Sequence, residues 1–280
     1  MIIHKLITDI EKVDPEVYER LDSRRSAVSQ FAKIGGKLAL AAVPLALGGM
    51  FKKAYGQGNS TIVGVLNFAL TLEYLEAEFY TRGAAAPALV PVGTPAVGAI
   101  NTIRDHENQH VNFLKTAISS LGGTAVAKPT FDFTARGTFP TVFTNYDVFL
   151  AVAQTFEDTG VRAYKGQAGA LISNNDVLTA ALQIHSVEAR HASHIRQMRQ
   201  ARNTGISIKP WITGKDTGGI GSNVQASYDG EEITTQAGVN ILSFVSANAA
   251  SESFDEPLST SAVETIVAFF FFKQKTAYEI

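Results

Sequence analysis

The most constraining feature of the chain is a short sequence pattern that occurs twice. A glutamate is followed seven residues later by a tyrosine, and then by a Glu-x-x-His motif. The two copies are Glu73, Tyr80, Glu107, His110 and Glu157, Tyr164, Glu188, His191. Residues three apart on an α-helix share a face, so each motif can direct a carboxylate and an imidazole at one point. The repeat predicts helices whose polar faces meet.

The motifs exceed what chance would give. With 15 glutamates in 280 residues, about 0.3 Glu-x-x-His motifs are expected for the six histidines. Apolar residues continue the same helical stripe, for example Ile103 before Glu107 and Leu114 after His110. The polar residues therefore occupy positions that a bundle helix normally buries. Buried carboxylates need a partner, and a metal ion would provide one.

Four segments with helical periodicity contain these residues. We predict a long connection, from Gly122 to Phe143, between the second and third segments, and shorter ones elsewhere. This pattern predicts an all-α bundle of two helical hairpins joined by a long crossover. The predicted bounds are Asn59 or Ser60 to Gly83, Thr94 (N-cap) to Gly122-Gly123, Thr144 (N-cap, with Asp147 as capping-box partner) to about Leu171, and Asn174 or Asn175 to 203–205.

Composition narrows the chemistry of the site. The chain has no cysteine, which excludes disulfides, thiolate-bound zinc, iron–sulfur clusters and thiol nucleophiles. Four glutamates would neutralise two divalent cations, and carboxylate and imidazole ligands suit iron or manganese. The net charge of −2 provides little attraction for nucleic acid, so we expect no nucleic-acid partner.

The ends of the chain differ from the predicted bundle. Residues 1–58 have the composition of a leader: Arg24 and Arg25 resemble a twin-arginine export signal, and residues 38–49 are apolar. That apolar stretch is too short for a stable membrane span. We expect export to the periplasm or cell envelope; the alternative is a cytoplasmic protein whose amphipathic N-terminal helix packs on the domain.

The region after the bundle is predicted to be irregular. Residues 205–268 form a C-terminal extension rich in small and polar residues, with a short helix from Ser259 to about Ala268. Residues 269–280 look like translated poly-T followed by a sequencing-library adapter, so we exclude them from the fold prediction. The alternative is a genuine apolar C-terminus.

The residues around the repeat carry a family resemblance. The runs LNFALTLEYLEAEFY (66–80) and FEDTGVRAY (156–164), with both Glu-x-x-His motifs, resemble bacterial ferritin-like domain proteins related to plant desiccation-associated proteins. The resemblance covers residues 60–204 and implies a ferritin-like bundle over 59–204 with a dinuclear metal site. It implies that Glu107 and Glu188 bridge two metals. It also implies that Glu73 and His110 complete one ligand set, and Glu157 and His191 the other.

The predicted function is that of a dinuclear metal protein, an oxidoreductase acting on dioxygen, peroxide or ferrous iron. The cofactors are expected to be two iron ions, alternatively two manganese ions. The alternatives are a manganese catalase-like enzyme, a storage cage, or a non-catalytic envelope protein of stress or desiccation tolerance with a structural metal site. The partners are metal ions and dioxygen or peroxide, with a homo-oligomer left open.

Several neighbouring residues have two interpretations. Tyr80 and Tyr164, the candidate catalytic residues, would hydrogen-bond ligand carboxylates or relay electrons; alternatively they are core aromatics. Glu76 lies one turn after Glu73 and competes with it as a ligand. Gly160 either leaves room near the metals or permits a close helix contact. The three other helical histidines are assigned surface or capping roles: His106, His185 and His194. His185 and His194 flank the second Glu-x-x-His motif by one turn each, so contact with the ligands or a position at the entry to the site is their alternative.

Overall fold

The computed structural model describes residues 59–270, which fold mostly into helices. Consecutive long helices pack along each other, α1 on α2 and α3 on α4, so that each pair forms a hairpin. Their bounds are α1 Asn59–Ala85, α2 Pro95–Ser120, α3 Tyr146–Ala168 and α4 Asn175–Ala201. The predicted all-α four-helix bundle is confirmed. The predicted leader (residues 1–58), with Arg24 and Arg25, and residues 271–280 lie outside the described part of the chain.

The connection between the two hairpins is the predicted long crossover. It follows α1 from near its beginning to near its end, and α3 then begins beside the end of α1. Gly83 allows this close approach, because a Cβ there would lie 2.3 Å from the ring of Phe149. The contacts along α1 are Asn67 with Thr124, Glu78 with Lys128, and Arg82 with the ring of Phe133.

Two predicted helix ends are corrected by one or two residues. Asn145, and not Thr144, caps α3: its side chain accepts hydrogen bonds from the backbone amides of Asp147 and Val148. Asparagine is among the best capping residues, so Asp147 contributes its amide and not a capping-box side chain. Helix α1 continues past Gly83 and ends at Ala85. The next residue, Ala86, precedes Pro87, and a residue before proline disfavours the helical conformation, so the helix stops there.

The chain after α4 is largely irregular, as predicted. It contains a two-stranded antiparallel hairpin, β1 (Thr235–Gln236) and β2 (Val239–Asn240), and two short helices, α5 (Ala247–Ser251) and α6 (Thr260–Val267). Helix α6, capped by the Ser259 side chain, matches the predicted short helix. Among the helices in residues 59–270, none combines the length and apolar character that crossing a bilayer requires.

The extension covers the outer side of α3. Arg162 is almost fully buried and donates hydrogen bonds to backbone carbonyls of the extension, including Ser227 at 2.6 Å. It also pairs with Glu231 at 2.7 Å. Arg196 of α4 pairs with Asp158 of α3 at 2.6 Å. As a result, α3 is buried without interruption from Val152 to Tyr164, which keeps solvent from one side of the bundle centre.

The structure includes the first residues of the segment 269–280, for which the sequence predicts an adapter origin. Phe270 is buried, and its ring lies edge-on to Phe156 with 4.7 Å between ring centroids. The backbone amide of Asp132 also donates to the carbonyl of Phe270, at 2.8 Å. This end of the described chain therefore packs on the bundle, and the adapter origin of residues 269–280 stays a prediction.

Candidate metal centre

All six predicted metal ligands meet inside the bundle. Helix α1 provides Glu73 and helix α3 provides Glu157, while α2 and α4 each provide one Glu-x-x-His motif. The four glutamates have 0% of their surface exposed, and the two histidines have 9% and 5%. Helical spacing places each of these residues on the inward stripe of its helix.

The ligand atoms form two groups that share two glutamates. One group contains Glu73, Glu107, His110 and Glu188, and the other contains Glu107, Glu157, Glu188 and His191. Within each group, one ligand atom per residue lies within 4.8 Å of all the others. Such an arrangement suits two ions with two bridging carboxylates, the pattern of dinuclear carboxylate sites in helical bundles.

Nitrogen and oxygen atoms approach each other closely at the centre of each group. His110 Nδ1 lies 3.1 Å from Glu73 Oε2 and 3.2 Å from Glu107 Oε2. His191 Nδ1 lies 2.8 Å from Glu107 Oε1. Both imidazoles therefore direct the same nitrogen, Nδ1, at the carboxylates.

Several of these buried atoms make no well-directed hydrogen bond within the described residues, although a histidine nitrogen lies close to some of them. They include both carboxylate oxygens of Glu188, Oε1 of Glu107, Oε2 of Glu157 and Nδ1 of His191. Buried polar atoms are normally satisfied, so a group of unsatisfied atoms aimed at one place needs an explanation. A pair of cations satisfies all of them, and ligands of oxygen and nitrogen without sulfur suit iron or manganese. The residues therefore fit a dinuclear metal site.

The electrostatics of the site favour bound cations. Burial raises the pKa of Glu73 to about 7 and raises the pKa of Glu188 well above its ordinary value. Burial acts in the same direction on Glu107, but the close approach of His110 and His191 outweighs it and lowers that pKa. For His191, burial is outweighed by the charge of Glu157, and the pKa rises to about 11. Protons bound to these groups balance part of the negative charge, and metal ions would displace them.

The two predicted tyrosines bind ligand carboxylates across the bundle. Tyr80 of α1 donates a hydrogen bond to Glu157 Oε1 of α3, at 2.5 Å. Tyr164 of α3 donates to Glu73 Oε1 of α1. Burial raises the pKa of both phenols well above the ordinary value, so both hydroxyls remain donors. The tyrosine of each sequence copy thus supports the glutamate of the other copy; electron relay by these residues stays a prediction.

Sequence reasoning missed the role of His106. Its Nδ1 lies 3.0 Å from Nε2 of His191, and the two rings are stacked with 5.3 Å between centroids. The assigned surface or capping role is therefore wrong, because His106 is partly buried against a predicted ligand. An Nε2–H of His191 that donates to His106 leaves the Nδ1 lone pair for a metal. The overlooked signal is that His106 lies one helical turn before His110.

The comparisons with known proteins agree with this architecture. A family model described as a ferritin-like domain matches residues 61–201, which is half of the chain and spans all four helices of the bundle. No curated protein matches the chain. The fold, the buried carboxylate and histidine cluster and the family match lead to one conclusion: the chain belongs to the ferritin-like domain family.

Proposed function

We propose that the protein is a dinuclear metal oxidoreductase that acts on dioxygen, peroxide or ferrous iron. The observation that carries this proposal is the pair of ligand groups sharing Glu107 and Glu188, with unsatisfied buried atoms directed between them. Two iron ions bound there would supply the one-electron steps that these substrates require. Two manganese ions are the alternative, because the same ligands suit both metals.

The roles of the residues follow from their positions. Glu107 and Glu188 belong to both groups and would bridge the ions. The other four predicted ligands each belong to one group and would bind a single ion: Glu73, His110, Glu157 and His191. The hydroxyls of Tyr80 and Tyr164 hold the carboxylates of Glu157 and Glu73 in place, and the second oxygens of these carboxylates, which lie near His191 and His110, would be available to a metal ion.

The site lies nearest to solvent on the side where its histidines are. The four glutamates are fully buried, while His110 and His191 keep a small exposed surface. His106, which contacts His191, is partly exposed. Small reactants and metal ions would therefore enter between α2 and α4, where these histidines lie.

A non-catalytic metal site is the second candidate function. Complete burial of the four glutamates is what a structural ion that staples the bundle would require. Such a site would bind metal and stabilise the fold without reacting with oxygen or peroxide. A role in envelope stress or desiccation tolerance would follow from that property and not from catalysis.

Metal analysis combined with stopped-flow mixing tests the proposal. The purified protein is expected to take up two iron or manganese ions, and the ferrous protein to change its absorption on mixing with dioxygen or peroxide. Glu107→Gln should lose both properties, while Glu78→Gln, on the outer part of α1, should keep them. Metal uptake without any reaction would favour the structural site. A folded protein that takes up neither metal would reject both candidates.

We also propose export to the periplasm or cell envelope through the twin-arginine route. The support is the basic stretch with Arg24 and Arg25 followed by the short apolar stretch. That route carries folded proteins, so the site could be loaded before export. Replacing Arg24 and Arg25 by lysine should leave the protein in the cytoplasm, as measured by cell fractionation. Unchanged export of this variant would contradict the proposal.

A further inference from the structure

A fifth buried glutamate lies beside the proposed centre. Glu76 follows Glu73 by one helical turn on α1 and is only 3% exposed. It belongs to neither group of closely spaced ligand atoms. Burying a carboxyl group is costly without a compensating partner, so its presence at this depth needs an explanation.

The sequence repeat identifies the counterpart of Glu76. When Glu73 and Tyr80 are aligned with Glu157 and Tyr164, Glu76 aligns with Gly160. These equivalent positions also face each other in the bundle. A Cβ at Gly160 would lie 3.3 Å from Oε1 of Glu76 and 3.3 Å from Oε2 of Glu188. The glycine therefore leaves a space that two carboxyl groups border, and the second of them belongs to a proposed bridging ligand.

The surroundings of Glu76 are strongly acidic. Burial raises its pKa well above the ordinary value, and the charges that raise it further are those of carboxylates, first Glu188 and then Glu107. Both oxygens of Glu188 lack a hydrogen-bond partner in the described part of the chain. A cation next to this space would compensate both carboxyl groups at once.

We propose that Glu76 is a seventh protein ligand of the dinuclear centre. It approaches from the side of α1 and α3, whereas the histidines approach from α2 and α4. Its side chain must turn toward the ions to bind, and the space over Gly160 allows that movement. Since the second copy of the repeat carries a glycine here, the two metal positions become inequivalent. This inference rests on the proposed dinuclear metal site.

The test uses Mn²⁺ as the probe, with calorimetric titration of the full-length protein and a crystal structure of the Mn²⁺-loaded form. Glu76→Gln keeps the size of the side chain and removes the carboxylate, and Glu78→Gln on the same helix is the matched control. We expect Glu76→Gln to weaken Mn²⁺ binding at one position about 10- to 100-fold. Glu78→Gln should bind like the wild type. In the crystal, an oxygen of Glu76 should coordinate a manganese ion.

A second variant covers the case in which Glu76→Gln folds poorly. Gly160→Ala fills the shared space without changing any charge, so it should also weaken one Mn²⁺ position. The inference is overturned if both variants bind two ions with wild-type affinity, or if Glu76 coordinates neither ion in the crystal; the dinuclear centre itself would then stand. Absence of Mn²⁺ binding by the wild-type protein would instead overturn the dinuclear centre and the role of Glu76 with it.

Discussion

The residues that meet at the proposed metal centre could be predicted because they lie at helical spacing on inward stripes. Glu107 and His110 are three residues apart, and their neighbours on the stripe are apolar. The sequence therefore shows both the type of ligand and the face of the helix on which the ligands lie. The partners of these residues could not be predicted in the same way. His106 and His191 are 85 positions apart in sequence and lie on different helices, and ring orientation depends on how those helices pack.

The hydrogen bond from Tyr164 to Glu73 gives a prediction for a single residue. Tyr164→Phe removes the donor that holds the outer oxygen of this carboxylate, so we expect Mn²⁺ affinity to fall about tenfold, a cost of about 1.4 kcal/mol. Titration calorimetry measures this change. Tyr74→Phe, which removes an exposed hydroxyl contact on α1, the helix that carries Glu73, is the control. Equal affinities for the two variants would show that Tyr164 does not support the ligand.

The raised pKa of Glu73 predicts how metal binding depends on pH. The value of about 7 lies above the ordinary 4.5, so the metal-free folded state binds this proton more tightly than the unfolded state does. That contribution to stability is complete below pH 4.5 and is lost as the pH rises to about 7. Metal ions replace the proton, so the rise in Tm caused by Mn²⁺ should be larger at pH 7 than at pH 5.

Thermal unfolding in Mn²⁺ and in chelator, at both pH values, measures this difference. His191 keeps its proton in the metal-free state throughout this range, because its pKa is about 11. Metal binding would displace that proton at both pH values, so His191 makes the increment grow with pH in the same direction as Glu73. A Tm increment that is constant or that shrinks toward pH 7 would contradict the assignment of Glu73 as a ligand.

At the scale of secondary-structure elements, the sequence predicts which helices form and in which order. It does not predict which residues of the extension pack around α3. Periodicity and capping residues give the four helices, with errors of one or two residues at Thr144 and Gly83. The burial of Arg162 depends on carbonyl groups that the irregular extension brings to it from residues about 65 to 94 positions later. No local pattern specifies those contacts.

The close contact between α3 and the extension predicts that replacing one helical glycine by alanine destabilises the protein. A Cβ at Gly166 would lie 1.9 Å from the carbonyl oxygen of Leu258. Gly166→Ala should therefore lower the free energy of unfolding by about 1–3 kcal/mol, although alanine normally favours a helix. Gly98→Ala in α2, where nothing lies within 4 Å, should raise it by about 0.5–1 kcal/mol.

Urea unfolding followed by circular dichroism compares the two glycine variants with the wild type. Opposite signs are the expected result. If Gly166→Ala were stabilising like Gly98→Ala, the extension would not pack against α3 as described.

At the scale of the whole molecule, the repeated order of residues explains both the bundle and its centre. Each hairpin brings one glutamate and one Glu-x-x-His motif to the middle, and Tyr80 and Tyr164 connect the hairpins through the ligands. Much of this arrangement could be predicted from the repeat and the long crossover. The extension was predicted as irregular, but its packing on α3 was not, because that packing follows from tertiary contacts alone.

Metal removal should therefore affect the whole fold. Ions that bind the native state alone stabilise it by about 2.7 kcal/mol at a free concentration of 100 times the dissociation constant. Chelation should lower the Tm of the wild type, whereas Glu107→Gln should show the same low Tm with and without metal. Differential scanning calorimetry provides the comparison. A wild-type Tm that is insensitive to chelator would show that the centre does not join the hairpins.

The central claim is that two metal ions lie between the four helices, bridged by Glu107 and Glu188. Anomalous diffraction from crystals of the iron- or manganese-loaded protein tests it most directly. We predict two anomalous peaks, about 3.5–4 Å apart, each within bonding distance of both bridging glutamates and of one histidine. Crystals of loaded protein with no peak among these residues, or with a single ion bound elsewhere, would contradict it.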